Sequence, residues 1–244
     1  MKWLTIALLL LPSGLLQAAI VIIDDFSFAQ SLTSASSNGS KYEASDPSIY
    51  GGYRSGLATG YINFRFIDGF FVGGDSSGVS SLAISGGTMS LSKTALTGSA
   101  FVTYEGRAFT SGDRIGDLSM DISGSASSLA SPVLLLGHTA GSSDQIVTLF
   151  LTSAVDTYSS FKILLKSGST ETIVDLRNAD PYGNGASGGV DFGNVEDILL
   201  GLANGDPIGT VELNNFAFVP EPGCSALFAM GMAYAILCRK RKGG

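Results

Sequence analysis

Leu82-Ala-Ile-Ser-Gly-Gly-Thr-Met-Ser-Leu91 decides the fold class. Two short strand-like runs meet at Gly86-Gly87. Gly-Gly accepts the positive φ angles that a two-residue hairpin turn demands, so the stretch reads as an antiparallel β-hairpin. The pattern repeats on both sides of it. Residues 161–166 and 171–176 flank Ser167-Gly168-Ser169 and predict a second hairpin. Residues 61–66 alternate, with Tyr61, Asn63 and Arg65 on one side and Ile62, Phe64 and Phe66 on the other, as a half-buried strand does. Residues 20–28, 101–104, 118–122, 133–136, 146–151, 197–202 and 211–218 complete the set. Of these, 194–202 also suits one or two helical turns. Residues 29–60, rich in Ser, Gly and Tyr, read as loop or edge strands.

This gives about eleven strands separated by Gly/Ser clusters, with no long amphipathic helix pattern between them. Parallel βαβ folding is thereby excluded. The expected fold is all-β: an antiparallel β-sandwich of jelly-roll type. It occupies residues 19–218 of the 244 in the chain, between two segments of different character.

The first is 1–18. Lys2 precedes an apolar stretch over 3–11, Pro12-Ser13-Gly14 interrupts it, and Ala18-Ala19 offers small residues to a peptidase. This is the pattern of a secretory signal peptide, and the apolar core is too short to span a bilayer. The second is 219–244, which is basic. Between them, residues 19–218 hold 9 basic and 20 acidic residues and no cysteine, since Cys224 and Cys238 both lie in the tail. An exported part this acidic repels phosphate backbones, which argues against nucleic-acid partners. It must also be held by its core alone, without disulfides.

Catalytic constellations are missing from the sequence. His138, in Leu136-Gly-His-Thr, is the single histidine and reads as a strand-end residue that is exposed or hydrogen-bonded. There is no Gly-x-Ser-x-Gly elbow and no thiol for nucleophilic chemistry. One histidine cannot furnish a zinc site. Gly183-Asn-Gly-Ala-Ser-Gly matches a phosphate-cradle string but neither follows a strand nor opens a helix, so it reads as a flexible loop. Glycosidases need paired carboxylates, yet Glu43, Glu105, Glu171, Glu196 and Glu212 are scattered one per segment. No cofactor is expected. Asp24, Asp25, Asp113, Asp117, Asp180 and Asp191 offer oxygen donors for a structural calcium ion, or equally cap turns and keep the surface soluble. Tyr42, Tyr50, Tyr53, Tyr61 and Tyr104 cluster in the first half, either as packing or as faces for sugar rings.

The tail is the most specific stretch. Val219-Pro-Glu-Pro precedes residues 223–238, sixteen positions without a charge, and then Arg239, Lys240, Arg241 and Lys242. As a transmembrane helix, 223–238 reaches about 24 Å. Snorkelling of the terminal bases and local thinning adapt that length to the bilayer. The bases fix the C-terminus in the cytoplasm. Pro220, Glu221 and Pro222, the short apolar helix and the basic cluster resemble the PEP-CTERM sorting tail of Gram-negative bacterial proteins. The resemblance implies recognition of Pro220-Glu221-Pro222 by an exosortase, a membrane-embedded cysteine transpeptidase, with Arg239–Lys242 as the cytoplasmic stop cluster. It implies passage through the inner membrane, transient anchoring there, and then release to the cell surface or extracellular matrix. Weaker likenesses to the jelly-roll ectodomains of such proteins lie in Ile22-Ile-Asp-Asp-Phe26, in Gly51-Gly-Tyr-Arg54, and in Val190-Asp-Phe-Gly-Asn-Val195 with Val211-Glu-Leu-Asn-Asn-Phe216. These proteins usually accompany exopolysaccharide. The expected function is a non-enzymatic surface or matrix protein whose partners are the exosortase, the inner membrane and a polysaccharide. The alternatives are a jelly-roll glycosidase or polysaccharide lyase, and a permanently anchored inner-membrane protein.

Overall fold

The hairpin at 82–91 forms as its sequence predicts. Gly86 (φ 57°) and Gly87 (φ 79°) take the positive angles of the turn. Leu82 and Ile84 before it, and Met89 and Leu91 after it, are buried. In a computed structural model, the structure describes residues 20–35, 42–59, 65–67, 70–72, 78–106, 117–122, 132–154, 157–177, 181–184 and 189–219. Their strands in chain order are β1 (Val21–Asp24), β2 (Gln30–Ala35), β3 (Tyr42–Ser45), β4 (Tyr53–Thr59), β5 (Arg65–Ile67), β6 (Phe70–Val72), β7 (Val79–Ser85) and β8 (Thr88–Lys93). There follow β9 (Ser99–Tyr104), β10 (Val133–His138), β11 (Gln145–Ala154), β12 (Thr157–Leu165), β13 (Glu171–Asp175), β14 (Pro181–Asn184), β15 (Asp197–Leu202) and β16 (Gly209–Val219).

Two antiparallel sheets carry nearly all of them. The first runs β13-β10-β16-β8-β7-β2, with β1 also on β16. The second runs β14-β12-β11-β15-β9-β4-β3, and β5 and β6 form a separate ribbon. The chain steps between sheets so that β8-β16-β10-β13 in the first faces β9-β15-β11-β12 in the second. Four strands per sheet, with the first and last strands of the set side by side, is the double Greek key of a jelly roll. Period-two alternation supplies the core between the sheets. Leu134, Leu136, Phe216 and Phe218 come from one side and Val147, Leu149, Leu151, Ile198 and Leu200 from the other, all fully buried.

Several expectations need correction. Residues 20–28 are not one strand: β1 stops at Asp24, and Phe26 turns the chain at φ 57°. The two runs around Ser167-Gly168-Ser169 do not pair with each other. β12 pairs with β11 in the second sheet and β13 with β10 in the first. Between them the chain crosses the sandwich, held by Gly168 N–H on the Gly141 carbonyl and Ser169 N–H on the Lys166 carbonyl. A glycine turn between two apolar runs looks the same in sequence whether the strands pair or part. Residues 118–122 form only a bridge, Met120 to Val195. Residues 197–202 are strand, not helix. Within 29–60, β2 and β3 are edge strands as expected, but β4 lies inside its sheet. Gly183 belongs to the edge strand β14 rather than to a loop.

Of residues 61–66, only Arg65 and Phe66 are described. The predicted signal peptide 1–18 and the predicted sorting tail 219–244, apart from Val219, lie outside the described residues, including the predicted transmembrane helix 223–238. Among the described residues no helix is long and apolar enough to cross a membrane.

Candidate functional site

The buried polar side chains among the described residues include three groups, around Asp24, Lys93 with Asp206, and His138. The first starts from Asp24, which β1 carries inward. Its Oδ2 accepts from Arg54 Nη1 at 2.7 Å and from the Tyr104 hydroxyl at 3.0 Å, while Oδ1 accepts from Phe26 N–H at 2.7 Å. Arg54 also donates from Nη2 to the Phe28 carbonyl. Both charged side chains are fully shielded from solvent. Burial raises the Asp24 carboxyl above its ordinary range, and the Arg54 guanidinium, the Phe26 N–H and the two side-chain hydrogen bonds pull it back. Burial, followed by the Asp24 charge, pushes the Tyr104 phenol well up. Gly51 delivers Arg54 to this site. It turns at φ 74°, where an added Cβ would come within 2.8 Å of Gly106 Cα.

The second group lies toward the other end of β9 and β15. Met89, Leu91 and Lys93 point inward from β8, so period two drives a lysine into the interior. Lys93 Nζ donates to the Ala203 carbonyl at 2.5 Å and to the Leu96 carbonyl at 3.2 Å. Burial pushes its pKa down to about 8; Asp206 opposes the shift and Lys162 adds to it. Asp206 is itself fully buried. Its Oδ2 accepts from the Thr148 hydroxyl at 2.9 Å and from Ala203 N–H at 2.8 Å, and its Oδ1 lies 3.2 Å from Lys162 Nζ. The third group is His138, whose Nε2 is 3.0 Å from Thr172 Oγ1. The histidine is buried and hydrogen-bonded, as its sequence context suggests.

Thr148 and Lys162 also belong to the outer face of the second sheet. In cross-strand register, Lys162, Thr148, Gly201, Phe101 and Leu57 form one row there. Ser160, Phe150, Leu199, Thr103, Ser55 and Glu43 form the next. Gly201 is required, because a Cβ would stand 2.1 Å from the Ala100 carbonyl and 2.8 Å from Cδ1 of Phe101. The Phe101 ring meets Phe150 edge-on, centroids 5.7 Å apart. Much of this face is closed, since Thr148, Ser160, Ser55 and Phe101 are buried; Phe150, Leu199, Thr103, Leu57 and Lys162 reach solvent.

Asp24 and Asp206 each face a cation and further donors, which leaves neither placed as a general base. Asp24 is also removed from the set of calcium donors. Asp25 is exposed, its carboxyl lowered by Ser27. Asp191 accepts from Gly193 N–H, Asp117 is exposed, and Asp113 and Asp180 lie outside the described residues. Among the described residues no group of three His, Cys, Asp or Glu side chains is placed to hold a metal. Of the clustered tyrosines, Tyr104 is core, tilted against Phe216 at 5.6 Å, and Tyr50 packs partly on the core. The side chains of Tyr42 and Tyr61 lie outside the described residues. Glu43 lies on β3, Glu171 on β13 and Glu212 on β16, while Glu105 follows β9 and Glu196 precedes β15. Pro220, Glu221, Pro222, Arg239, Lys240, Arg241 and Lys242 lie outside the described residues. The sequence reading missed Arg54, Lys93 and Asp206. Lys93 alone carried a signal, the inward register after Met89 and Leu91.

No protein-family description and no curated protein matches this chain. Solved structures do. The family 11 carbohydrate-binding module from Clostridium thermocellum, in complex with a beta-1,3-1,4-mixed-linked tetrasaccharide, is similar at a TM-score of 0.39 and 12% identity, over 82% of this chain and 95% of that one. The family 11 module of the cellulosomal cellulase Lic26A-Cel5E of the same organism is similar at 0.38 and 13%, over 83% and 95%.

Proposed function

We propose that this chain is a non-enzymatic, exported β-sandwich protein. An exosortase sorts it through its tail to the cell surface or matrix, where it associates with exopolysaccharide. The observation that carries the reading is the tail: Pro220-Glu221-Pro222, the uncharged run 223–238, and Arg239, Lys240, Arg241 and Lys242. The end of β16 at Val219 supports it. In the sequence Pro220-Glu221-Pro222 directly follows β16 and directly precedes the uncharged run 223–238. The outer face of the second sheet supports contact with a sugar polymer through Phe150 and Lys162, which reach solvent there.

Processing is tested by mass spectrometry of the mature C-terminus in a strain with an active exosortase. The expected product ends near Pro220-Glu221-Pro222, and the Pro220→Ala/Pro222→Ala variant accumulates in the inner membrane at full length. Recovery of the intact tail from the wild-type chain would sink the sorting reading. An unchanged location for the variant would favour a permanent anchor.

A further inference from the structure

The outer face of the first sheet is divided. Toward the end of β16, Ile22, Ala217, Leu135 and Ile173 stand side by side in register across β1, β16, β10 and β13. Ile22 is 52% exposed and Ile173 64% exposed. In the row beyond them, Val219 pairs with Val133 and Val133 with Asp175, while Ile20, 56% exposed, precedes β1. These are four strands spaced about 4.8 Å apart and two rows about 7 Å apart. The patch is apolar except for Asp175 at its corner. In the other direction it stops at once. The next row holds Asn215, Gly137 and Glu171, and the Asn214 carboxamide lies over Gly137. The rest of the face, on β8, β7 and β2, carries Ser90, Ser92, Ser81, Ser31 and Thr33, with Ala83 and Val79 as its isolated apolar members. Singly exposed apolar residues need no explanation, but a contiguous patch does.

The patch coincides with the point where the chain leaves the fold. β16 ends at Val219, within the patch, and residues 220–222 span at most about 10 Å before the apolar run begins. From this placement we infer that the patch is a membrane-docking surface. While the tail is inserted, the sandwich rests on the bilayer interface through Ile20, Ile22, Leu135 and Ile173. This inference rests on the membrane anchoring proposed above. Docking holds Pro220-Glu221-Pro222 at the headgroup level, where a membrane-embedded enzyme reaches it, and cleavage frees the domain. A lipid surface is favoured over a second copy by continuity, since the tail enters the membrane beside the patch. Pairing of β13 with its own copy about Ile173 would also set Glu171 opposite Asp175, a like-charge contact.

The test uses the full chain in phosphatidylethanolamine–phosphatidylglycerol vesicles containing bromolipid. Trp3→Phe removes the native tryptophan, and Ile173→Trp or Ser90→Trp places a single reporter. The expected result is carbonate-resistant association of both proteins, with strong quenching for Ile173→Trp, as for a side chain buried about 5–10 Å into the interface, and little for Ser90→Trp. Adding Ile22→Ser lowers the Ile173→Trp quenching while association persists. Equal quenching at the two sites in an anchored chain overturns the docking alone. A chain that washes off the vesicles overturns the anchoring and the docking together. A blue shift at Ile173→Trp that grows with protein density, without bromolipid quenching, assigns the patch to a second copy and overturns the lipid.

Discussion

At the scale of single residues, the interior is fixed by charges that the sequence gives little reason to place there. Asp24 and Arg54 come from β1 and β4, on different sheets, and each satisfies the other in a site closed to water. Desolvation makes such a pair a weak source of stability, yet removing one partner leaves an uncompensated buried charge. Arg54→Met is therefore expected to cost about 3–5 kcal/mol in urea unfolding, and Asp24→Leu a comparable amount. The double variant is expected to lose clearly less than the sum. Strict additivity would show that the two charges are not coupled. Asp24-Asp25 read as a possible metal site because an isolated sequence does not show which cation comes opposite. Arg54 lies thirty positions away in the chain, beyond any local pattern.

At the scale of elements, the turns were the legible part. The β7–β8 hairpin forms where Gly86-Gly87 predicted it, because two positive φ angles are a local demand that few residues meet. Gly86 has open space around the position of a Cβ, so only its backbone angle restricts it. Gly86→Ala is expected to lower stability by about 1–2 kcal/mol, the cost of a left-handed residue, whereas Gly86→Asn changes it little. Equal thermal melts for the two variants would show that the turn angle is not limiting. The turn at 167–169 was equally legible, but its consequence was not. β12 and β13 diverge to different sheets because each finds a better-matched partner elsewhere, β11 over nearly its whole length and β10 over five residues. Pairing is chosen among distant strands, and the local pattern is silent on it.

At the scale of the whole molecule, the two sheets are also joined through Lys93, which starts on the first sheet and lies in the field of Asp206 and Lys162 over the second. Its pKa falls from 10.5 to about 8 on folding. Between those values the unfolded chain binds more protons than the folded one, so this group makes stability rise as pH climbs from about 8 to 10.5. Below pH 8 both states hold the proton, and the full cost of burying the charge is present. The difference in melting temperature between wild type and Lys93→Met is expected to shift in favour of wild type across that window. A difference independent of pH would contradict the depressed pKa. Local sequence is enough for the all-β class, the antiparallel sandwich, the glycine turns, the segregation of acidic and basic residues, and the motif on which the sorting proposal stands. Each of these depends on neighbours a few positions apart or on composition. Only the fold settles which strands pair, which charges are buried together, and that the apolar patch of the first sheet stands at the C-terminal end of β16. Those depend on side chains that meet only after the jelly roll has brought distant strands into register, and burial then sets their energies.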